Sequence, residues 1–336
     1  MCEYEAFYNM VEKWTVSDYR TQKIKAEVLV DMLISEFIEE IVYYKLGKDE
    51  KAILIAKEFP ITRLGQCGLK EDGKNLIQKI KDGTVKSDDI GKRQYASADY
   101  LIKRGNTLYL TELKTTNSSI DGVQFLNMLW TCEKGLESLY YRFFDLIKNY
   151  SIEENALSDK KYFYTLKYMA ERVLGKDKVK EIDIAAFGRK RERKKYRADV
   201  ARQIMDTIFC SDKSDLRNCN MIDINNCDLK ILYVSLHPMK NDDIFKEVNK
   251  KDTPIALRDY GNKVLSDKSN YENRFCACPI ILKDIVNEHD FANMLEDDKR
   301  RKWNKVKDIL NLLVIEENEW FEKKENSTLQ HLGCRP

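Results

Sequence analysis

The stretch SADYLIKRGNTLYLTELKTT, residues 97–116, constrains the fold more than any other part of the chain. Two runs of alternating, largely apolar residues flank Gly105-Asn106, a pair that tolerates the positive φ angles of a two-residue hairpin loop. If those two residues turn the chain, Arg104 pairs with Thr107, and continuing outward brings Asp99 opposite Glu112. Side chains alternate faces with period two, so Asp99, Glu112 and Lys114 share one face with Leu101, Leu108 and Leu110. Tyr100, Ile102, Tyr109 and Leu113 take the other. Apolar residues on both faces are the mark of strands inside a sheet rather than of an exposed hairpin.

Two carboxylates facing each other across strands are unfavourable by roughly 0.2–1 kcal/mol, and by more when desolvated. Something positive is therefore expected among them. Lys114 can neutralise one charge, and a divalent cation can be held by both acids, with water completing the hard-oxygen shell that Mg²⁺ prefers. A bare acid-x-Lys triplet is cheap in a chain with 34% charged residues, and Asp49-Glu50-Lys51, Glu192-Arg193-Lys194 and Glu322-Lys323-Lys324 all match it. Only Glu112-Leu113-Lys114 ends an apolar strand with an acid poised across a turn.

The surroundings supply an α/β order. KIKAEVLVDMLISEFIEEIVYYKL, residues 23–46, reads as one long amphipathic helix with Val30, Ile34, Ile38 and Ile41 at helical spacing, ended by Gly47. Lys51 to Ile61 reads as a strand, and the hairpin adds two more. Ser118, Ser119 and Asp121 offer caps for a second long helix with Phe125, Leu129, Leu136, Leu139, Phe143 and Ile147 on its apolar face. Helices are expected over Tyr162–Leu174, Asp199–Ile208 and Asp297–Glu316, a short alternating run over EIDIAAF from Glu181, and a buried strand over Leu229–Pro238. The fold class is thus α/β, with a central mixed β-sheet flanked by helices. Residues 1–22 read as an N-terminal extension, 23–240 as the core with insertions, and 241–336 as a largely helical or irregular C-terminal extension.

These residues resemble the PD-(D/E)XK, or restriction-endonuclease-like, nuclease superfamily. Ala98-Asp99 matches its first element and Glu112-Leu113-Lys114 its second, within the helix, three strands, helix order over roughly residues 23–147. The proline that usually precedes the aspartate is absent. The resemblance implies a restriction-endonuclease-like core in which Asp99, Glu112 and the backbone carbonyl of Leu113 ligate Mg²⁺ or Mn²⁺, and Lys114 orients or helps deprotonate the attacking water. It also implies a glutamate from the first helix, for which Glu27 heads the apolar face and Glu36 is the reserve. Some members carry Q-x-x-x-Y on the second helix; Gln124 stands at the first position, but Met128 occupies that of the tyrosine. The implied activity is metal-dependent hydrolysis of phosphodiester bonds, with DNA favoured and RNA left open, of restriction, repair or mobile-element type. A nuclease-fold module that binds nucleic acid without cutting is the alternative.

The net charge of +2 is too small to advertise a nucleic-acid protein by itself, so a basic surface has to be local. The densest candidate is GRKRERKKYR, with Arg189, Lys190, Arg191, Arg193, Lys194, Lys195 and Arg197; KRRKWNKVK around Trp303 is a second. His237, His289 and His331 are isolated, and no P-loop, dinucleotide fingerprint or nucleophile elbow occurs. Nine cysteines include Cys210, Cys219 and Cys227 in one stretch and Cys276 with Cys278, but no C-x-x-C pair, so an iron–sulfur cluster is not expected. The start lacks a secretory pattern and no apolar run reaches membrane-spanning length, which implies a cytoplasmic protein with no membrane partner. A homodimer or a partner protein is left open.

Overall fold

A computed structural model describes residues 26–62, 95–115, 119–150, 157–176, 194–210, 220–250, 253, 255–266 and 279–313. The first amphipathic segment forms two helices, α1 (Ala26–Ile34) and α2 (Ile38–Leu46), where one was expected. At the break, Phe37 N–H donates to Ile34 O three residues back at 2.8 Å, a tighter turn than the α-helix makes. This turn delivers Phe37 into the interior, where its ring meets Trp303 edge-on at 5.2 Å. A distant aromatic thus sets the end of a local helix.

Strand β1 (Ala52–Thr62) pairs antiparallel with β2 (Tyr95–Arg104), which pairs antiparallel with β3 (Thr107–Lys114). Pro60 lies in β1, which stands at the sheet edge, where a missing N–H removes no central ladder bond. The β2–β3 register runs from Arg104↔Thr107 to Tyr100↔Thr111, as the Gly105-Asn106 turn requires. Gly105 adopts φ +54, the left-handed conformation that glycine enters without a Cβ penalty. Strand β6 (Asp228–Ser235) then joins parallel to β3, and β7 (Ile280–Ile281) joins parallel to β6. The sheet is mixed, in the order β1, β2, β3, β6, β7, with β3 in the middle.

Both faces are covered. On one, Leu101, Leu108, Leu110, Ile231 and Tyr233 pack against α3 (Gly122–Tyr150), α4 (Leu157–Leu174), α5 (Lys194–Ile208), α6 (Asn241–Val248) and α7 (Ile255–Ser266). Phe125, Leu129, Leu136, Leu139, Phe143 and Ile147 of α3 all belong to that core, although α3 bends at Gly135, φ +76. On the other face, Tyr100, Ile102, Tyr109, Leu113, Leu232 and Val234 meet Val30, Ile34, Ile38 and Ile41 of the first two helices. The division of the hairpin's side chains between faces is the one its alternation predicts.

The C-terminal segment is helical, with α8 (Leu282–Val286), α9 (His289–Met294) and α10 (297–313), and it closes the second core through Leu282, Phe291 and Trp303. Three ion pairs clasp it to α2 and the turn before it: Lys45 with Glu288 at 2.7 Å, Lys302 with Glu36 at 2.7 Å, and Lys299 with Glu40. A small second sheet pairs β4 (Phe209–Cys210) with β5 (Ile222–Asp223). Among the described residues no helix is long and apolar enough to cross a membrane.

Candidate active site

The site forms where β2 and β3 part. The last backbone pair between them is Tyr100↔Thr111; beyond it β2 continues with β1 as far as Thr62↔Tyr95, and β3 continues with β6 as far as Lys114↔Ser235. Asp99 spans the fork with its side chain. Its Oδ2 accepts the Leu113 N–H at 2.7 Å, in place of a backbone partner. Because a residue's N–H and C=O leave an extended strand on the same edge, the Leu113 carbonyl also faces the fork. The next carbonyl, that of Lys114, turns the other way and accepts from Leu236 N–H at 2.9 Å.

Glu112 and Lys114 are buried, with side chains 2% and 5% exposed, and their charges meet at 2.8 Å between Nζ and Oε1. The ammonium has two further partners at 3.4 Å, Glu27 Oε1 from α1 and Gln124 Oε1 from α3. Its three protons are therefore all engaged. Asp121 fixes the start of α3 by accepting from Val123 N–H at 2.8 Å and Gln124 N–H at 3.2 Å, and the Gln124 amide then donates to Ser97 O at 3.2 Å. One glutamine thus bridges β2 to the lysine of β3.

Burial dominates the site's electrostatics. It pushes the Asp99 carboxyl up to about 6, against the opposing Leu113 N–H and the Lys114 charge. It pushes Glu112 up to about 8, reinforced by the Asp99 charge and resisted by Lys114. Burial disfavours the ammonium of Lys114, yet Glu112, Glu27 and Asp99 outweigh it and its pKa rises. Carboxylates held this far above their usual range mark a place where negative charge is concentrated and short of compensation.

The sequence-derived set Asp99, Glu112, Leu113, Lys114, Glu27 and Gln124 comes together here. Glu36 does not; it pairs with Lys302 at the surface. Arg189, Lys190, Arg191 and Arg193 lie outside the described residues, as do the side chains of Lys194, Lys195 and Arg197, whose backbone opens α5. The run around Trp303 serves the interior: the indole is fully buried, and Lys299, Arg300, Arg301 and Lys302 all have acidic partners. Cys210 and Cys227 are not in disulfides, and Cys219, Cys276 and Cys278 fall outside the described residues.

Asp31 was not among the expected site residues. It accepts a hydrogen bond from the buried Tyr100 hydroxyl, and its charge helps raise Asp99. Its position four residues after Glu27, one helical turn along the same face, is the signal that would have found it.

A divalent cation fits the donors present. Glu112 Oε2 is buried and has no hydrogen-bond partner among the described residues, which leaves an anionic oxygen in need of a positive ligand. Asp99 and the Leu113 carbonyl would add two more hard oxygens, and Mg²⁺ ordinarily keeps water in its remaining positions. Among the described residues no group of three or more His, Cys, Asp or Glu side chains is gathered as a metal ligand set. Glu27 stands instead as a partner of Lys114. No family model, curated protein or solved structure matches the chain.

Proposed function

We propose that the chain is a divalent-metal-dependent nuclease of the PD-(D/E)XK type that hydrolyses phosphodiester bonds, with DNA as the substrate class. The observation that carries this reading is the buried Glu112–Lys114 pair with Oε2 of Glu112 unpartnered among the described residues, beside Asp99 at the fork of two strands. Asp99, Glu112 and the Leu113 carbonyl would hold Mg²⁺ or Mn²⁺. Such an ion polarises a phosphate and lowers the pKa of water bound to it. Lys114 supplies a fixed positive charge for the negative charge that develops on the phosphate, a preorganised stabilisation stronger in a dry site than in water. Glu27 and Gln124 set where that ammonium points.

The second reading, a nuclease-fold module that binds without cutting, draws on one observation: Lys114 already pairs with Glu112 and Glu27. The two are separated by incubating the full chain with single- and double-stranded DNA and RNA in Mg²⁺, Mn²⁺ or EDTA, beside Asp99→Ala. The nuclease reading expects cleavage that needs the metal and is lost in the variant. Cleavage in EDTA, or equal cleavage by Asp99→Ala, would overturn the assigned mechanism, and retention of nucleic acid without any cleavage would favour the module.

A further inference from the structure

Strand β6 flanks β3 on the edge away from β2 and places a buried hydroxyl on the face that carries Glu112. In its parallel register with β3, Tyr233 lies beside Glu112 and Ser235 beside Lys114. Neighbours in register put their side chains on the same face, so Ser235 belongs with Glu112 and Lys114. The preceding residues of β6 on this face, Leu229, Ile231 and Tyr233, pack into the core. Ser235 is fully buried, and its Oγ has no hydrogen-bond partner among the described residues.

An unpaired hydroxyl in the interior is costly, and strand propensity does not explain this one, because serine lacks the β-branch that suits a pleated sheet. Thr111 is a useful contrast. Its hydroxyl also has no partner among the described residues, but it is β-branched and its side chain leaves the other face, away from Glu112. Nor is Ser235 needed by Lys114, whose protons are taken by Glu112, Glu27 and Gln124. Among the described residues of these strands, the other buried oxygen on its face without a partner is Glu112 Oε2. The two residues are one strand apart, about 4.8 Å, and two positions along, about 6.6 Å. A water bound to a cation at Glu112 Oε2 can reach across such a gap.

We infer that Ser235 is a positioning residue for the hydration shell of a divalent cation held by Glu112, its hydroxyl accepting a hydrogen bond from a coordinated water. The inference rests on the proposal that the fork is a divalent-cation site. Groups that hold a metal's outer ligands typically change its affinity by about 10–100-fold when removed.

The test is calorimetric titration of the full chain with Mn²⁺, without nucleic acid, for the parent and Ser235→Ala, Ser235→Val and Ser235→Thr. Thr and Val have the same shape, so any packing error from the added methyl groups cancels between them. Ser235→Ala and Ser235→Val are expected to bind Mn²⁺ about 10-fold or more weakly, with Ser235→Thr closer to the parent. The metal-free melting temperature of Ser235→Ala should equal or exceed that of the parent, since an unpaired hydroxyl is lost. Equal affinities for the Thr and Val variants would overturn the role of Ser235 while leaving the cation site in place. Absence of Mn²⁺ binding by the parent, or full binding by Glu112→Gln, would overturn the cation site and this role with it.

Discussion

The two ends of strands β2 and β3 carry the same kinds of residue under opposite conditions. At the hairpin end, Arg104 pairs with Asp49 and, at 3.7 Å, with Glu50, acids whose side chains are 74% and 51% exposed. At the fork, Lys114 pairs with a glutamate that is 2% exposed. Asp49-Glu50-Lys51 even repeats the acid-x-Lys spacing of Glu112-Leu113-Lys114. The triplet is therefore not what distinguishes the site. Desolvation is: in water such charges are screened and worth little, whereas in the interior each must be answered by a particular partner.

The largest expected break in the comparison is in activity. Lys114→Ala should lower metal-dependent cleavage by roughly 10²–10³-fold, the usual loss when one preorganised stabilising group is removed. Lys51→Ala, in the exposed triplet, should leave the rate unchanged. A matched pair of rate constants decides it, and equal losses would mean that burial is not the relevant difference.

Stability should separate the ends next. Lys114→Met leaves Glu112 buried without its cation and should cost about 3–5 kcal/mol above pH 8, read from denaturant unfolding. Asp49→Ala at the hairpin end should cost about 0–1 kcal/mol.

A pH scan sharpens the same point. Asp99 and Glu112 are raised to about 6 and about 8 in the folded protein, so between pH 4 and 8 the folded state holds protons that the unfolded chain has released. Stability of the metal-free protein should therefore fall as pH rises through that window. Glu112→Gln, which mimics the protonated acid, should flatten the upper part of the fall in melting temperature. A parent whose stability rises across the window would contradict the desolvation account.

The smallest effect belongs to the turn. Gly105→Ala places a Cβ at φ +54 and against the Glu50 side chain, which can swing away, so the cost should be about 1 kcal/mol from backbone strain. Cleavage should persist, because the register is also held by β1 and β6.

Local chemistry made the centre of the site legible. Gly105-Asn106 fixes a register, period two sorts the hairpin's side chains, and helical periodicity singles out Glu27 ahead of Val30 and Ile34. Gln124 came from the resemblance, which places a glutamine early on the second helix. What escaped depends on pairing across long stretches of sequence. The break at Phe37 requires Trp303, β7 is two residues long and has no period to detect, and the neighbours of Glu112 and Lys114 on β6 are set by a register that no local pattern encodes. Asp31 escaped for another reason: its role depends on the Tyr100 hydroxyl, which alternation assigns only to an apolar face.

The clasp of residues 282–313 on α2 and the turn before it bears on how the protein is made. Every residue proposed to act on a phosphate is translated by Gln124, yet the core around Phe37 is complete only once Phe291 and Trp303 have emerged. A ribosome-bound chain halted near residue 250 would hold all of those side chains while lacking β7 and the helices that complete the core shared with α1 and α2. Competence of the site should thus come late in synthesis, after its own residues have long left the ribosome.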